Sequence, residues 1–271
     1  MKIFDFNIHL PYLKSDDVNL VVEQDMKLEI KDISNGLLFH VEHFKKINAA
    51  NVLLFNPYLF DNNTTELYPT LSNYFNIIFT TNLVDFRRKD IEEYLNKAKM
   101  AGLKAIMFNS YLQKIADHDF YTVLETCKIA ERLKLIICID GSFGTSKMYT
   151  FNNMKLACYI ANAINKTQIV IVHSGGCNII NAMLLALDKK NVWLDTSFSL
   201  TYYLGSSIEI DFAFAYRKMD FKRVIFGSDH PYIQAEKAIT DHLLLFEKYK
   251  FSQTAIEDIM FNNAMLLFNS I

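Results

Sequence analysis

Short apolar segments alternate with longer amphipathic segments along most of the chain. Segments with apolar residues at helical spacing lie at 90–100, 120–133, 154–164, 179–187 and 235–249. Eight short runs rich in β-branched and aromatic residues, typical of buried strands, lie at residues 2–9, 51–56, 75–80, 103–109, 134–140, 168–173, 191–196 and 222–229. Strands that alternate with helices predict parallel βαβ units.

Eight such units close most naturally into a (β/α)₈ TIM barrel, which we predict as a single α/β domain of residues 1–271 with an extra C-terminal helix. The alternative is an open doubly wound sheet, which usually has fewer strands and a GxGxxG turn after its first strand. None of the eight runs is followed by that motif. Residues 11–36 do not fit the repeating unit, and we expect an insertion after strand one on the catalytic face.

The composition excludes several classes of protein. The net charge of −2 gives no overall field that attracts nucleic acid or an acidic membrane. No apolar run reaches the length of a membrane span, and the first residues lack the apolar core of a signal peptide. The four cysteines show no CxxC spacing, as expected of reduced thiols. We therefore expect a cytoplasmic protein that binds a small molecule and neither nucleic acid nor membrane.

Polar residues end four of the predicted strands, at the edge where barrels of this kind hold their active sites. Because strand side chains alternate between faces, Phe4, Phe6 and Ile8 are expected to meet the helices, while Asn7 and His9 point into the barrel mouth.

The same alternation groups Ile136, Cys138 and Asp140 on strand five. It also groups Ile169, Ile171 and His173 on strand six, and Ile225, Gly227 and Asp229 on strand eight. In each group the last inward residue is polar, which predicts one shared site.

Several of these segments resemble motifs of the amidohydrolase superfamily, and in particular its amidohydrolase-related subfamily, which includes aminocarboxymuconate-semialdehyde decarboxylase. DFNIHL resembles the opening IDxHxH, IVIVHSGG the strand-six histidine and its glycine turn, and NVWLDTS the strand-seven segment. VIFGSDHPY is very close to the strand-eight GSDxP signature, and NNAMLLF at 262–268 resembles the motif of the last helix. The resemblance spans essentially the whole chain in the right order and implies a metal-dependent hydrolase or decarboxylase.

The resemblance also implies a ligand set for one divalent metal ion. Two strand-one histidines, a strand-five histidine and the strand-eight aspartate hold the metal in that subfamily, and the strand-six histidine assists as acid or base. In this sequence Asn7 and Asp140 stand where two of the histidines are expected, whereas His9, Asp229 and His173 match. Oxygen donors at two positions favour Mg, Mn or Zn with water over a strongly nitrogen-ligated zinc.

We therefore expect a hydrolase or related carbon–carbon lyase that acts on a small polar molecule, carboxylated molecules included, with Asp229 and His173 as the proton-transferring residues. Two alternatives remain open. One is a catalytically drifted barrel that acts as a binding or accessory protein, and the other is a metal-free isomerase or hydratase that uses Asp140, His173 and Asp229.

Other polar residues near the strand ends have both a structural and a functional interpretation. Asn109, Ser197 and His230 are candidate substrate-binding residues, although hydroxyls and amides at strand ends often form turns instead. The paired Arg87 and Arg88 after strand three are candidates to clamp a carboxylate. The resemblance further implies a homodimer.

Overall fold

A computed structural model of the protein describes residues 1–10, 30–61 and 67–270. Eight parallel strands hydrogen-bond in sequence order, each to the next. They are β1 (Phe4–Leu10), β2 (Ala49–Leu54), β3 (Ile77–Leu83), β4 (Ala105–Phe108), β5 (Ile136–Asp140), β6 (Ile169–Val172), β7 (Val192–Asp195) and β8 (Val224–Ile225). All eight predicted strands are present, and the alternative of a doubly wound sheet is wrong.

Backbone hydrogen bonds join the last strand region to the first and close the barrel. The amide of Phe6 donates to the carbonyl of Phe226 over 3.0 Å, and the amide of His9 donates to the carbonyl of His230 over 2.8 Å. The amide of Asp229 donates in turn to the carbonyl of Asn7 over 2.9 Å. The predicted (β/α)₈ barrel is confirmed.

Most of the helices pack around the outside of the strands. The described helices are α1 (Ile30–His40), α2 (Leu67–Ser72), α3 (Ile91–Met100), α4 (Ser110–Gln113), α5 (Phe120–Arg132), α6 (Lys147–Thr150), α7 (Asn153–Ala163), α8 (Ile179–Asp188), α9 (Ser199–Tyr202), α10 (Glu209–Lys218), α11 (Ala235–Lys248), α12 (Gln253–Glu257) and α13 (Asn263–Asn269). None of these helices combines the length and the apolar character that a membrane crossing requires.

The proposed insertion at 11–36 is only partly described. Residues 11–29 lie outside the described residues, and residues 30–36 belong to helix α1. That the described barrel is the whole of a single domain stays a prediction.

Buried side chains form two layers. The outer layer lies between strands and helices, whereas the inner layer fills the barrel and includes Met107, Cys138 and Ile225. The sequence placed Phe4 and Phe6 against the helices, and this was wrong: both belong to the inner layer, while Ile8 belongs to the outer one.

The assignment on strand six was also reversed, apart from its last residue. Ile169 and Ile171 face the helices, and Val170 and Val172 face the interior. On strand five the prediction was right, because Ile136 and Cys138 lie inside the barrel.

The C-terminal helix α13 closes the amino-terminal end of the barrel. Phe268 stacks on Phe79, with ring centroids 4.1 Å apart, and on Phe4, 5.7 Å apart. The side-chain amide of Asn263 donates to the carbonyls of Phe221 and Val224, each over 2.8 Å, and so fastens this helix beside strand β8. The extra C-terminal helix predicted from sequence therefore has a packing role at the end opposite the candidate site.

Candidate functional site

A cavity of about 330 Å³ opens at the carboxyl ends of the strands. His9 enters it from β1, Asp140 from β5, His173 from the end of β6 and Asp229 from the turn after β8. The sequence prediction that these four ionisable residues share one site agrees with this arrangement. Asn109, at the end of β4, also lines the cavity.

A β-bulge brings His9 into the cavity. The register between β1 and β2 shifts between Asp5 and Ile8. A bulge adds a residue on one strand and reverses which face the following side chains occupy. The inward positions are therefore Phe6 and then His9, three residues apart, instead of every second residue.

Left-handed backbone turns present two of the other ionisable residues. The φ angles are 62° at His173 and 67° at Asp229, a region that residues with a side chain rarely adopt. This turn explains how His173 reaches the cavity although its predicted neighbours Ile169 and Ile171 face outward. Such backbone conformations cost free energy and concentrate at functional sites.

His9 and Asp229 form a buried pair. The Nε2 atom of His9 lies 2.9 Å from Oδ1 of Asp229, and the imidazole stacks on Phe55 with centroids 4.8 Å apart. Burial by itself raises the pKa of Asp229, but His173 and His9 outweigh it and hold that pKa below its ordinary value. Asp229 is therefore ionised at neutral pH.

His173 and Asp140 form a second, looser pair. The Nε2 atom of His173 is 3.7 Å from Oδ2 of Asp140. Burial lowers the pKa of His173, but Asp229, Asp140 and Asp195 together raise it above its ordinary value. Burial raises the pKa of Asp140, although the charge of His173 opposes this change.

Asp140 is held in place by hydrogen bonds from three directions. Its Oδ1 accepts from the backbone amide of Ser142 over 2.8 Å and from the side-chain amide of Asn153 over 2.9 Å. Its Oδ2 accepts from the side-chain amide of Asn109 over 3.0 Å. Asn153 lies on helix α7, and no sequence pattern linked it to Asp140.

The other ring nitrogen of His173 faces away from the cavity. Nδ1 lies 3.1 Å from the carbonyl oxygen of Ser197 and 3.0 Å from its hydroxyl. A carbonyl oxygen only accepts, so Nδ1 carries a hydrogen and Nε2 is directed towards Asp140. The Ser197 hydroxyl donates to buried Asp195 and accepts from the side-chain amide of Asn7 over 2.8 Å.

Two of the predicted site residues therefore lie behind the cavity wall. Asn7 and Ser197 are buried but do not line the cavity. Ser197 contacts Nδ1 of His173 directly, and Asn7 is linked to His173 through the hydroxyl of Ser197. Asp195, whose pKa is raised by burial, completes this supporting layer. The sequence indicated this supporting layer only through the strand-seven segment, which ends in Asp195, Thr196 and Ser197.

His230 also lies outside the lining. Its buried ring packs against His43 and Phe44, with centroid distances of 5.2 Å and 5.1 Å. His230 is therefore not placed to contact a substrate in the cavity.

The family model for amidohydrolases matches residues 79–269, which is more than half of the chain. The protein belongs to the amidohydrolase family. The family consists of enzymes, so the hypothesis that this chain is an enzyme of the amidohydrolase type is confirmed. No curated protein matches the sequence.

Solved structures agree with the barrel fold. An uncharacterised TIM-barrel protein from Bordetella bronchiseptica superposes with a TM-score of 0.73 at 13% identity, covering 100% of this chain and 99% of that one. A probable 2-pyrone-4,6-dicarboxylic acid hydrolase from Acinetobacter baumannii gives a TM-score of 0.65 at 15% identity, covering 99% and 100%. A 2,6-dihydroxybenzoate decarboxylase gives 0.64 at 12% identity, covering 99% of each chain. At these identities the likeness shows the fold alone.

Members of the family generally use a divalent metal ion, and the donor set of this amidohydrolase can be tested against that requirement. Asn7, one of the four expected ligands, turns its amide nitrogen to Ser197 and does not line the cavity. The Nε2 of His9 is already hydrogen-bonded to Asp229, and both oxygens of Asp140 accept hydrogen bonds from the protein. No cluster of three or more His, Cys, Asp and Glu side chains suited to a metal occurs among the described residues.

The residues therefore do not fit the four-ligand site that the resemblance implied. The physical reason is that Asn7 lies behind the cavity wall, where its amide nitrogen donates to Ser197, and that both oxygens of Asp140 accept hydrogen bonds from the protein.

Proposed function

We propose that this amidohydrolase is a hydrolase of small molecules, in which water is the second reactant and the cavity at the strand ends is the active site. The observation that carries the proposal is the convergence of two imidazole–carboxylate pairs, His9 with Asp229 and His173 with Asp140, on one buried cavity. Hydrolysis needs a group that takes a proton from water and a group that gives one to the leaving atom. The two pairs supply one of each.

Asp229 is the acceptor in this mechanism. It stays ionised at neutral pH because His173 and His9 lower its pKa, and the hydrogen bond to His9 fixes its orientation. A carboxylate at the mouth of a parallel barrel can take a proton from a water molecule as that water attacks the substrate.

His173 is the donor. Its raised pKa keeps the imidazole protonated closer to neutral pH, and its Nδ1 is anchored on Ser197 so that Nε2 remains available to the cavity. Asp140 stabilises the positive charge on the ring before the proton leaves. The presence of both a proton acceptor and a proton donor supports hydrolysis, in which water loses a proton and the leaving atom gains one.

The proposal is tested by Asp229→Asn and His173→Gln, assayed on a panel of small esters, lactones and amides. Each variant is expected to lose roughly 10²–10⁴-fold in kcat while keeping the wild-type melting temperature within a few degrees. Asp188→Asn, which changes an exposed carboxylate on helix α8, serves as the control. If the wild type turns over none of the panel yet binds its members, and binding is unchanged in Asp229→Asn, the protein is a binding barrel and the proposal fails.

A bound divalent metal ion, with Zn, Mn or Mg as candidates, stays a prediction that follows from the family. Plasma mass spectrometry on protein purified without chelator or metal-affinity tag measures it. A stoichiometric amount of metal that disappears in His9→Ala would show that His9 binds the ion and would contradict the donor geometry. Metal-free protein that retains turnover after exhaustive chelation would agree with that geometry.

We also infer a cytoplasmic location, because the cysteines among the described residues are free thiols. The homodimer stays a proposal that follows from the resemblance, and sedimentation equilibrium of the full chain tests it.

A further inference from the structure

The walls of the cavity are largely aromatic. Phe198, Tyr202 and Tyr203 form one wall, in which Phe198 and Tyr202 stack with centroids 5.4 Å apart and Tyr203 meets Tyr202 edge-on at 5.0 Å. Phe55 and Tyr232 flank the ring of His9. Tyr202 is 65% exposed at the mouth, where a free aromatic face can receive a ligand ring.

The described lining of the cavity holds two acidic side chains and no permanently charged basic side chain. Asp140 and Asp229 are the acidic residues, and no lysine or arginine occurs among the lining residues that the structure describes. His9 and His173 are the only basic groups in this described lining, and each already faces one of the two carboxylates.

The two arginines that the sequence offered as a carboxylate clamp are engaged elsewhere. Arg87 donates to the carbonyl of Gln113 over 3.0 Å and to Asp119 over 3.1 Å. Arg88 forms ion pairs with Asp61 at 2.7 Å and with Asp90 at 2.8 Å. Proteins usually recognise a carboxylate through a guanidinium fork, and these forks are occupied by the protein itself.

We propose that the substrate of this site is a ring-bearing molecule that carries an amine or no charge, and that carboxylated molecules are disfavoured. The inference rests on the proposed function of the cavity as a hydrolytic site. The ring lies against Phe198, Tyr202 and Tyr203, and the polar end faces Asp140 and Asp229. Aromatic faces attract cations, and the two acidic side chains add to that attraction. The aromatic faces and the acidic side chains both oppose the entry of an anion.

Binding of three probes with the same ring tests the proposal without requiring turnover. Benzylamine, benzyl alcohol and benzoate differ mainly in charge, and their affinities are measured by ligand-observed NMR on the full chain. Benzylamine and benzyl alcohol are expected to bind at least about tenfold more tightly than benzoate. Benzoate binding as tight as benzylamine, with or without added zinc, overturns the proposal, and so does absence of binding by all three at millimolar concentration.

Two variants identify the parts of the cavity responsible. Tyr202→Ala is expected to weaken all three probes, whereas Tyr121→Ala, which removes a tyrosine of nearly equal exposure (64% against 65%) on helix α5 outside the lining, leaves them unchanged. Asp140→Asn is expected to narrow the gap between benzylamine and benzoate. Equal losses in the two tyrosine variants would overturn the aromatic wall as the binding surface.

The failure of this inference is separable from the failure of the proposed function. The probe series reports which charge the cavity accepts, whether or not any bond is cleaved. If the probes bind in the predicted order but no substrate is hydrolysed, the proposed hydrolase activity alone is contradicted. If carboxylated esters are hydrolysed and benzoate binds tightly, the proposed substrate class alone is contradicted.

Discussion

Individual residues in this site have contacts that their positions in the sequence did not indicate. Asn7 occupies the place of an expected metal-binding histidine, yet its amide donates to Ser197, whose hydroxyl touches the rear of His173. The residue at the position of an expected metal ligand therefore supports the residue that we propose as the proton donor. Groups of this kind act through the residue that they orient.

Ser197→Ala tests that supporting role. Loss of the hydroxyl removes one contact to His173 and leaves the amide of Asn7 without its partner, so kcat is expected to fall roughly tenfold, as for a hydrogen bond worth about 1.4 kcal/mol. KM is expected to stay unchanged, because Ser197 does not line the cavity. Steady-state kinetics on the best substrate of the panel measures both. Ser206→Ala, in an exposed turn nearby, is the control, and a rise in KM alone would contradict the role.

The pH dependence of activity reports the charge on His173. Because its pKa is raised, the ring stays protonated at pH values above 6.5, the ordinary pKa of a histidine. We therefore expect kcat/KM to decline only as the pH rises beyond 6.5. Asp140→Asn removes one of the charges that raise this pKa, which moves the decline to lower pH by about 1 unit. A pH–rate profile of both proteins decides the matter, and a shift towards higher pH would be incompatible with the assigned pair.

At the scale of elements, regular segments were predictable and their irregular ends were not. The five helices predicted from apolar spacing begin and end within one residue of the observed ones, because amphipathic periodicity follows burial directly. The orientation of strand β1 was missed because a bulge leaves no periodic signal, and that of β6 because His173 sits in a left-handed turn. The four ionisable residues were still identified, since motifs mark them independently of which way the strand faces.

The end of strand β5 packs too tightly against β6 to admit a side chain. A Cβ atom at Gly141 would lie 2.5 Å from the carbonyl oxygen of Val172 and 2.9 Å from the backbone nitrogen of Gly175. Gly141→Ala is therefore expected to destabilise the fold by about 2 kcal/mol or more, because overpacking against backbone cannot be relieved by a rotamer change. Gly144→Ala, three residues along the same loop with open space around it, is the matched control. Urea denaturation gives both values, and equal stabilities would refute the close approach.

The whole molecule has its two specialised regions at opposite ends of the barrel. The cavity lies at the carboxyl ends of the strands, and helix α13 seals the amino ends with Phe268 stacked among Phe4, Phe6 and Phe79. The sequence predicted the barrel and its last helix from strand count and motif. It did not predict the seal, because the contact joins residues almost the full length of the chain apart.

Phe268→Ala is expected to cost about 3–5 kcal/mol of stability, the usual penalty for emptying a buried aromatic site. Leu266→Ala, on the same helix but 61% exposed, is expected to change stability by less than about 0.5 kcal/mol. Chemical denaturation measures both variants. Their kcat at a temperature where both remain folded is expected to match the wild type, and a selective loss of activity in Phe268→Ala would show that the seal and the cavity are coupled.

This separation of seal and cavity bears on how the protein changes over evolutionary time. The residues that line the cavity do not include the phenylalanines stacked at the opposite end, so we expect substitutions in the cavity to leave that stack intact. The same separation makes the cavity a practical starting point for selecting new activities, with helix α13 kept unchanged so that its contribution to stability is retained.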